Sequence, residues 1–226
     1  MTDSNSLSLT DRGALWREID SGAAAEWDVI VIGGGITGAG ILREAVRRGF
    51  RSLLIEQRDF AWGSSSRSSK MVHGGLRYLA AGNISLTRHA LKEREKLISE
   101  APRLVERLGY YFPLYRGKFP PRFAAGILFW LDDRLAGIRD HRKVDNRQLK
   151  QIFGQLETPG LNGAFFYTDA VTVDARLTLR VLQESVRSGG QVLNYTRANS
   201  LMKDEDRITG LLAEDTETGQ VRSLKA

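Results

Sequence analysis

The sequence predicts an α/β fold built on a parallel sheet, and three observations carry that prediction. Val29–Ile32 is an all-aliphatic run, followed at once by a glycine-rich turn and then by apolar residues at helical spacing. A second aliphatic run, Phe50 to Ile55, completes a strand–helix–strand unit ending at Glu56. Near the other end a helical period from 174 to 187, stopped by Gly189-Gly190, precedes a further apolar strand at Gln191–Arg197. The 226 residues suit one large domain or two small ones, and 42% hydrophobic with 27% charged residues is an ordinary globular balance.

Composition removes several kinds of chemistry. With no cysteine there is no disulfide scaffold, thiolate metal site or thiol nucleophile. Three histidines, at 73, 89 and 141, leave little room for a histidine-rich site, so no metal is expected. The net charge of +6 is concentrated: residues 51–150 carry +10 and the rest −4. That middle region would draw lipid head groups, a phosphate ester or nucleic acid.

The first 27 residues are polar and mixed in charge, without the apolar stretch of a signal peptide. A short helix is expected from Thr10 to Asp20, with Leu15, Trp16 and Ile19 on one side. No run of 18 apolar residues occurs, so no membrane-spanning helix is expected.

Gly33-Gly34-Gly35-Ile36-Thr37-Gly38 fits G-x-G-x-x-G. Gly33 permits the tight turn, Gly35 has no Cβ to block a pyrophosphate, and Gly38 lets helix and strand approach. The helix start adds free N–H groups and a positive dipole end. Ile41, Leu42, Ala45 and Val46 continue the helix, and Gly49 stops it. Glu56, 18 residues after Gly38, stands where a carboxylate can accept hydrogen bonds from ribose hydroxyls. The pattern is a Rossmann-like nucleotide-binding start; a glycine turn without ligand is the plainer alternative.

The stretch from Gly63 to Leu79, GSSSRSSKMVHGGLRYL, is dense in hydroxyls and contains one lysine, one histidine and a glycine pair. Such a loop can cradle a flat polar ring; a flexible serine-rich linker is the alternative. With VIGGGITGAGI, SSRSSKMVHGGLRYL, ALKEREKL and VDARLTL, the chain resembles the amino-terminal part of the FAD-dependent, respiratory glycerol-3-phosphate dehydrogenases. These belong to the wider superfamily of D-amino-acid-oxidase-like flavin enzymes. The likeness runs from about residue 26 to the end and is strongest over 28–79.

The resemblance implies a glutathione-reductase-like FAD domain with an inserted α+β substrate cap. It divides the chain into an N-terminal segment (1–27), the first part of the FAD domain (28–82), a cap (83–172) and a return to the FAD domain (173–226). It assigns Gly33, Gly35 and Gly38 to the FAD pyrophosphate and Glu56 to the ribose. Ser64, Ser65, Lys70, His73, Gly74, Gly75 and Leu76 would line the cofactor towards the flavin ring. Arg77 and Tyr78 would stand beside the substrate, a guanidinium suiting a phosphate ester. A structural ion pair is the alternative for Arg77.

Asn83 caps a helix expected to run to Ser99, whose Lys92–Lys96 run reads as a solvated charged face. His89 lies in that helix and is expected on its surface or in packing. Residues 110–130 hold 8 of the 19 aromatic residues, interleaved with Arg116, Lys118 and Arg122. Pro113, Pro120 and Pro121 forbid one long helix, and a short one is expected at Ala124–Leu131. Such a mixture suits a membrane interface, a single-stranded nucleic acid or the core of a cap. Phe165-Phe166-Tyr167 reads as a strand running into a loop at Thr168-Asp169-Ala170. Asp174 is expected to cap the following helix in a structural role. Three β-like pieces, 198–202, 208–214 and 221–224, suggest a meander.

The implied activity is oxidation of sn-glycerol 3-phosphate to dihydroxyacetone phosphate by hydride transfer to flavin N5, with electrons passing to a membrane quinone. The resemblance implies a cytoplasmic enzyme held peripherally at the membrane, with a homo-oligomer open and nucleic acid excluded as partner. No general base is assigned. Three rivals stand beside it: a flavin oxidase of amino or hydroxy acids, a nucleic-acid-binding module, which leaves the glycine motif unexplained, and an inactive fragment. The sequence stops at Ala226, where a closing strand and an Ala-Thr-Gly turn are expected, so weak FAD binding and little turnover are expected of these 226 residues alone.

Overall fold

The computed structural model describes residues 11–22, 26–137, 139–156 and 159–226. The remaining residues of the N-terminal segment, 1–10 and 23–25, lie outside the described residues. In chain order the elements are α1 (Arg12–Asp20), β1 (Val29–Ile32), α2 (Ile36–Arg47), β2 (Ser52–Ile55), β3 (Met71–Val72), α3 (Leu76–Ala80) and α4 (Ile84–Glu100). There follow β4 (Val105–Tyr115), α5 (Arg122–Ala136), β5 (Arg142–Val144), α6 (Asn146–Ile152), β6 (Leu161–Thr172) and α7 (Asp174–Arg187). The chain closes with β7 (Gln191–Leu193), β8 (Thr196–Asp204), β9 (Arg207–Asp215) and β10 (Val221–Lys225). These elements form two compact units, one from residues 1–68 and 173–226, the other from 69–172.

In the first unit, β1, β2 and β7 make a parallel sheet in that order, with Val31 opposite Leu54 and Leu54 opposite Val192. Every residue of β2 is buried, as a strand covered on both faces must be. Its alternation sorts the core. Leu54 meets Val31, Ala39, Leu42, Leu182 and Val192 on the side of α2 and α7. Leu53 and Ile55 meet Leu15, Trp16, Leu211, Ala213 and Leu224 on the opposite side. There the antiparallel meander β10–β9–β8 and α1 cover the sheet. Asp11 caps α1 by accepting the Ala14 N–H at 3.0 Å, and Arg12 pairs with Asp215 and Glu217.

Two local expectations need correction in this unit. β7 ends at Leu193, not Arg197, because Tyr195 adopts φ 49° and turns the chain out of the parallel sheet into β8. Asp174 is the first residue of α7, with Val173 at the cap position. Its carboxylate instead accepts from Ser68, at 2.7 Å from the hydroxyl and 3.3 Å from the N–H. It thereby ties the two chain crossings of this unit together.

The second unit is an antiparallel sheet centred on β6. β4 pairs along one edge, and β3 and β5 share the other. The expected loop at 168–170 is strand, since Thr168–Thr172 pair with Val105–Gly109 while Ala170 and Val171 also face Val72 and Met71. The pairing of β3 with β6 also explains why residues 69–82 fold with this unit. One face of the sheet packs Leu114, Phe129 and Phe165 against α5, and the other packs Val144, Leu149 and Leu161 against α6. α5 runs beyond the expected Ala124–Leu131 at both ends and stops at Gly137, φ 71°. The aromatics of 110–130 divide: Phe129 is core, whereas Phe119, Phe123 and Trp130 are 92%, 79% and 54% exposed. Among the described residues, no helix is long and apolar enough to cross a membrane.

Candidate cofactor-binding site

In the first unit the site is built at the end of β1. Gly33 turns the chain with φ 110°, and its N–H donates to the Ile55 carbonyl at 2.8 Å. A Cβ on Gly38 would overlap the Gly33 carbonyl oxygen, so only glycine allows α2 to begin so close to the strand. The first N–H groups of the helix face outward. Ile36 N–H donates to Ser65 Oγ at 2.9 Å, while those of Gly35, Thr37 and Gly38 have no protein acceptor among the described residues. Ser65 Oγ, being the acceptor from Ile36, keeps its own proton for a ligand. It also lies 3.2 Å from where a Gly35 Cβ would stand. The turn therefore combines free N–H donors, a hydroxyl and the positive end of a 12-residue helix, a donor set made for a pyrophosphate.

Glu56 has a second occupation. Its Oε2 accepts the Gly34 N–H at 2.8 Å and its Oε1 the Arg58 N–H at 2.9 Å. Each oxygen retains a lone pair for a ribose hydroxyl. Ser64 opens a 3₁₀ turn of Ser64–Ser66 and is exposed. Beside it Trp62 is flanked by the guanidinium groups of Arg67 and Arg58, 3.9 and 4.5 Å from the ring centre.

The second unit holds the remaining expected residues. Lys70 is exposed at φ 59°, immediately before β3. His73 is exposed, its ring 5.9 Å from that of Tyr78 and tilted 57°. Gly74 and Gly75 are buried, and Gly75 starts α3 at φ 98°. Leu76 packs against the cluster of Leu114, Phe129 and Phe165. Arg77 is exposed and makes no ion pair among the described residues, so its structural-pair alternative gains no support.

Under this turn lies a polar cluster that the sequence did not suggest. Arg94, read as part of a solvated run, is 3% exposed and bonds Asp169, itself 4% exposed, at 3.0 Å. Burial works against the Arg94 charge, but hydrogen bonds to Asp169 and Glu95 outweigh it and raise its pKa. Burial pushes the nearby Asp132 carboxyl up to about 6 and the Tyr167 hydroxyl up to about 12. Asp132 Oδ1 is buried and has no hydrogen-bond partner among the described residues.

Residues 28–226 match the family model described as FAD dependent oxidoreductase. The chain belongs to this family. Its cofactor is FAD, and the free donors of the glycine turn fit the pyrophosphate that FAD carries. The chain is 35% identical over 205 residues to an aerobic glycerol-3-phosphate dehydrogenase of Staphylococcus haemolyticus, covering 89% of the chain but 37% of that relative. A relative of the same name from Staphylococcus aureus is 34% identical over the same lengths. The chain thus spans little more than a third of the curated relatives it matches. Among solved structures, the FAD complex of glycerol-3-phosphate dehydrogenase from Bacillus halodurans gives a TM-score of 0.71 at 29% identity, over 94% of this chain and 35% of that one. Glycine oxidase of Bacillus cereus shares the fold at 17% identity and a TM-score of 0.61, over 88% of this chain and 53% of that one.

For this flavoprotein, sequence reasoning found the glycine turn and missed three further features. Ser65 caps Ile36 across 29 residues, a contact that spacing alone does not reveal. Trp62 between two arginines carries no recognisable motif. Asp169 lay in what was read as a loop, 75 residues from its partner Arg94.

Proposed function

We propose that the chain supplies the FAD-binding front of an oxidoreductase acting on sn-glycerol 3-phosphate, giving dihydroxyacetone phosphate. The observation carrying this reading is the anion cradle at Gly35, Ile36, Thr37 and Gly38 with Ser65, joined to the 35% identity with aerobic glycerol-3-phosphate dehydrogenases. Gly33, Gly35 and Gly38 admit the pyrophosphate, Ser64 and Ser65 donate to it, and Glu56 accepts from a ribose hydroxyl while holding the turn. Lys70, His73, Gly74, Gly75 and Leu76 are assigned to the flavin-ring end by sequence resemblance. Arg77, exposed and unpaired among the described residues, is the cation for the substrate phosphate, with Tyr78 beside it. When bound, FAD supplies the two-electron acceptor for the substrate C2–H. The protein contributes orientation and charge. A quinone is the proposed onward acceptor.

We further propose peripheral attachment to an anionic membrane through the exposed Phe119, Phe123 and Trp130 with Arg116, Lys118 and Arg122.

The test is titration of the 226-residue chain with FAD, followed by anaerobic addition of sn-glycerol 3-phosphate or glycine. Weak but saturable FAD uptake, abolished by Gly35→Val, with slow, partial bleaching by the phosphate ester and none by glycine, is the expected result. Bleaching by glycine alone would move the assignment to the amino-acid oxidases that share the fold. FAD uptake unchanged in Gly35→Val would remove the proposed cradle.

A further inference from the structure

The turn His73-Gly74-Gly75 is anchored by groups that the functional reading leaves unused. Gly74 N–H donates to both carboxylate oxygens of Asp169, at 2.9 and 3.2 Å. Asp169 Oδ1 in turn accepts from Arg94 Nη1 at 3.0 Å, and the same nitrogen lies 3.4 Å from the Thr168 carbonyl. One carboxylate therefore joins strand β6, helix α4 and the turn. The fit is close: a Cβ at Gly74 would stand 2.5 Å from Leu91 Cδ2 and 2.9 Å from Arg94 Nη1.

Stability alone gives a poor account of this pair. Two buried charges lose their hydration, and apolar side chains of similar volume usually serve a core as well or better. Such side chains cannot accept the Gly74 N–H. In a trans peptide the N–H and the preceding carbonyl point in opposite directions. Holding Gly74 N–H inward therefore turns the His73 carbonyl the other way. No hydrogen bond to that carbonyl occurs among the described residues.

We propose that Arg94 and Asp169 are positioning residues that fix the His73–Gly74 peptide with its carbonyl outward, as an acceptor for a flavin-ring N–H. The proposal deepens the functional reading and rests on its assignment of residues 70–76 to the flavin-ring end. Arg94 acts through Asp169, and Asp169 through the peptide.

Two readouts on the full chain test it: amide hydrogen exchange at Gly74 without FAD, and the visible circular dichroism of bound FAD. The double variant Arg94→Met/Asp169→Leu removes both charges and the acceptor. It is expected to melt close to the wild type, exchange the Gly74 amide at least about tenfold faster, and change the flavin signal. Asp169→Asn keeps an oxygen in the same place and is expected to retain slow exchange and the wild-type flavin signal. A double variant with wild-type exchange and flavin signal would overturn the proposal. So would a well-folded Asp169→Asn protein with fast exchange. Failure of the wild-type chain to take up FAD would overturn the flavin role together with the reading beneath it. Exchange at Gly74 would still decide whether the pair fixes the peptide.

Discussion

Glu56 and Gly34 are joined by a 2.8 Å hydrogen bond from the glycine N–H to the carboxylate, so the acid ending β2 also holds the turn that opens α2. A second bond, from Arg58 N–H at 2.9 Å, fixes the other oxygen. This makes Glu56 structural before any ribose arrives. Glu56→Ala is expected to destabilise the FAD-free chain by about 1–2 kcal/mol, chiefly the cost of orphaning the partly buried Gly34 N–H, since the Arg58 N–H is exposed. Glu56→Gln, which keeps one acceptor oxygen, should lose roughly half as much. Urea denaturation without FAD measures both, and an unchanged midpoint in Glu56→Ala would leave the ligand role alone.

Two glycines in α2 make opposite predictions. A Cβ on Gly38 overlaps the Gly33 carbonyl oxygen, whereas one on Gly40 meets nothing within 4 Å. Gly38→Ala must separate helix and strand, with a loss of about 3 kcal/mol or more and of FAD binding. Gly40→Ala should stabilise by about 0.5–1 kcal/mol, because alanine loses less backbone entropy in a helix. Thermal melts and FAD titration on the pair check this. Equal effects would show that close packing at residue 38 is not what the fold requires.

What the sequence revealed and what it hid follow the range of the interactions. The unit β1–turn–α2–β2 is written in neighbouring residues: aliphatic runs, a glycine spacing, a helical period. It was legible almost to the residue, although β2 begins at Ser52 rather than Phe50. The extension of β6 to Thr172 depends on β3 and β4, distant segments that no local propensity announces. Arg94 is the sharpest case. A run of five charged residues looks solvated, and only the tertiary fold turns the middle one inward towards Asp169. The glycines of the site were readable because their spacing is their function. Its hydrogen-bonded supports were not, because each partner lies on another element.

The exposed aromatic and basic residues around α5 bear on membrane attachment. Near an anionic surface each lysine or arginine contributes about 1 kcal/mol. Neutralising Arg116, Lys118 and Arg122 together is thus expected to weaken binding to phosphatidylserine-containing vesicles by about 100-fold. Replacing Phe119 and Phe123, 92% and 79% exposed, with serine should weaken binding to neutral and anionic vesicles alike. Vesicle sedimentation separates the two contributions. Unchanged sedimentation of the triple variant would count against attachment through this surface.

Asp132 gives a pH dependence whose sign can be worked out. Burial is the main cause of its rise to about 6; Arg94 opposes it, and Asp169, Asp133 and Asp140 add to it. An aspartate in the unfolded chain titrates near 3.9. Below about pH 4 both states hold the proton, so the group costs nothing. Between about pH 4 and 6 the folded chain keeps a proton that the unfolded chain has released, and stability falls as pH rises. Above that window both states are ionised and the full penalty remains. Allowing for partial contact with solvent, it amounts to about 1–2 kcal/mol. Asp132→Asn removes the ionisable group while keeping its shape. It should be more stable than the wild type by that amount at about pH 7.5, and within a few tenths of a kcal/mol of it at about pH 4. Urea denaturation of both proteins at the two pH values makes the comparison, with every other titrating group cancelling in the difference. A stability gap of the same size at both pH values would mean that packing, not the buried charge, distinguishes the two side chains.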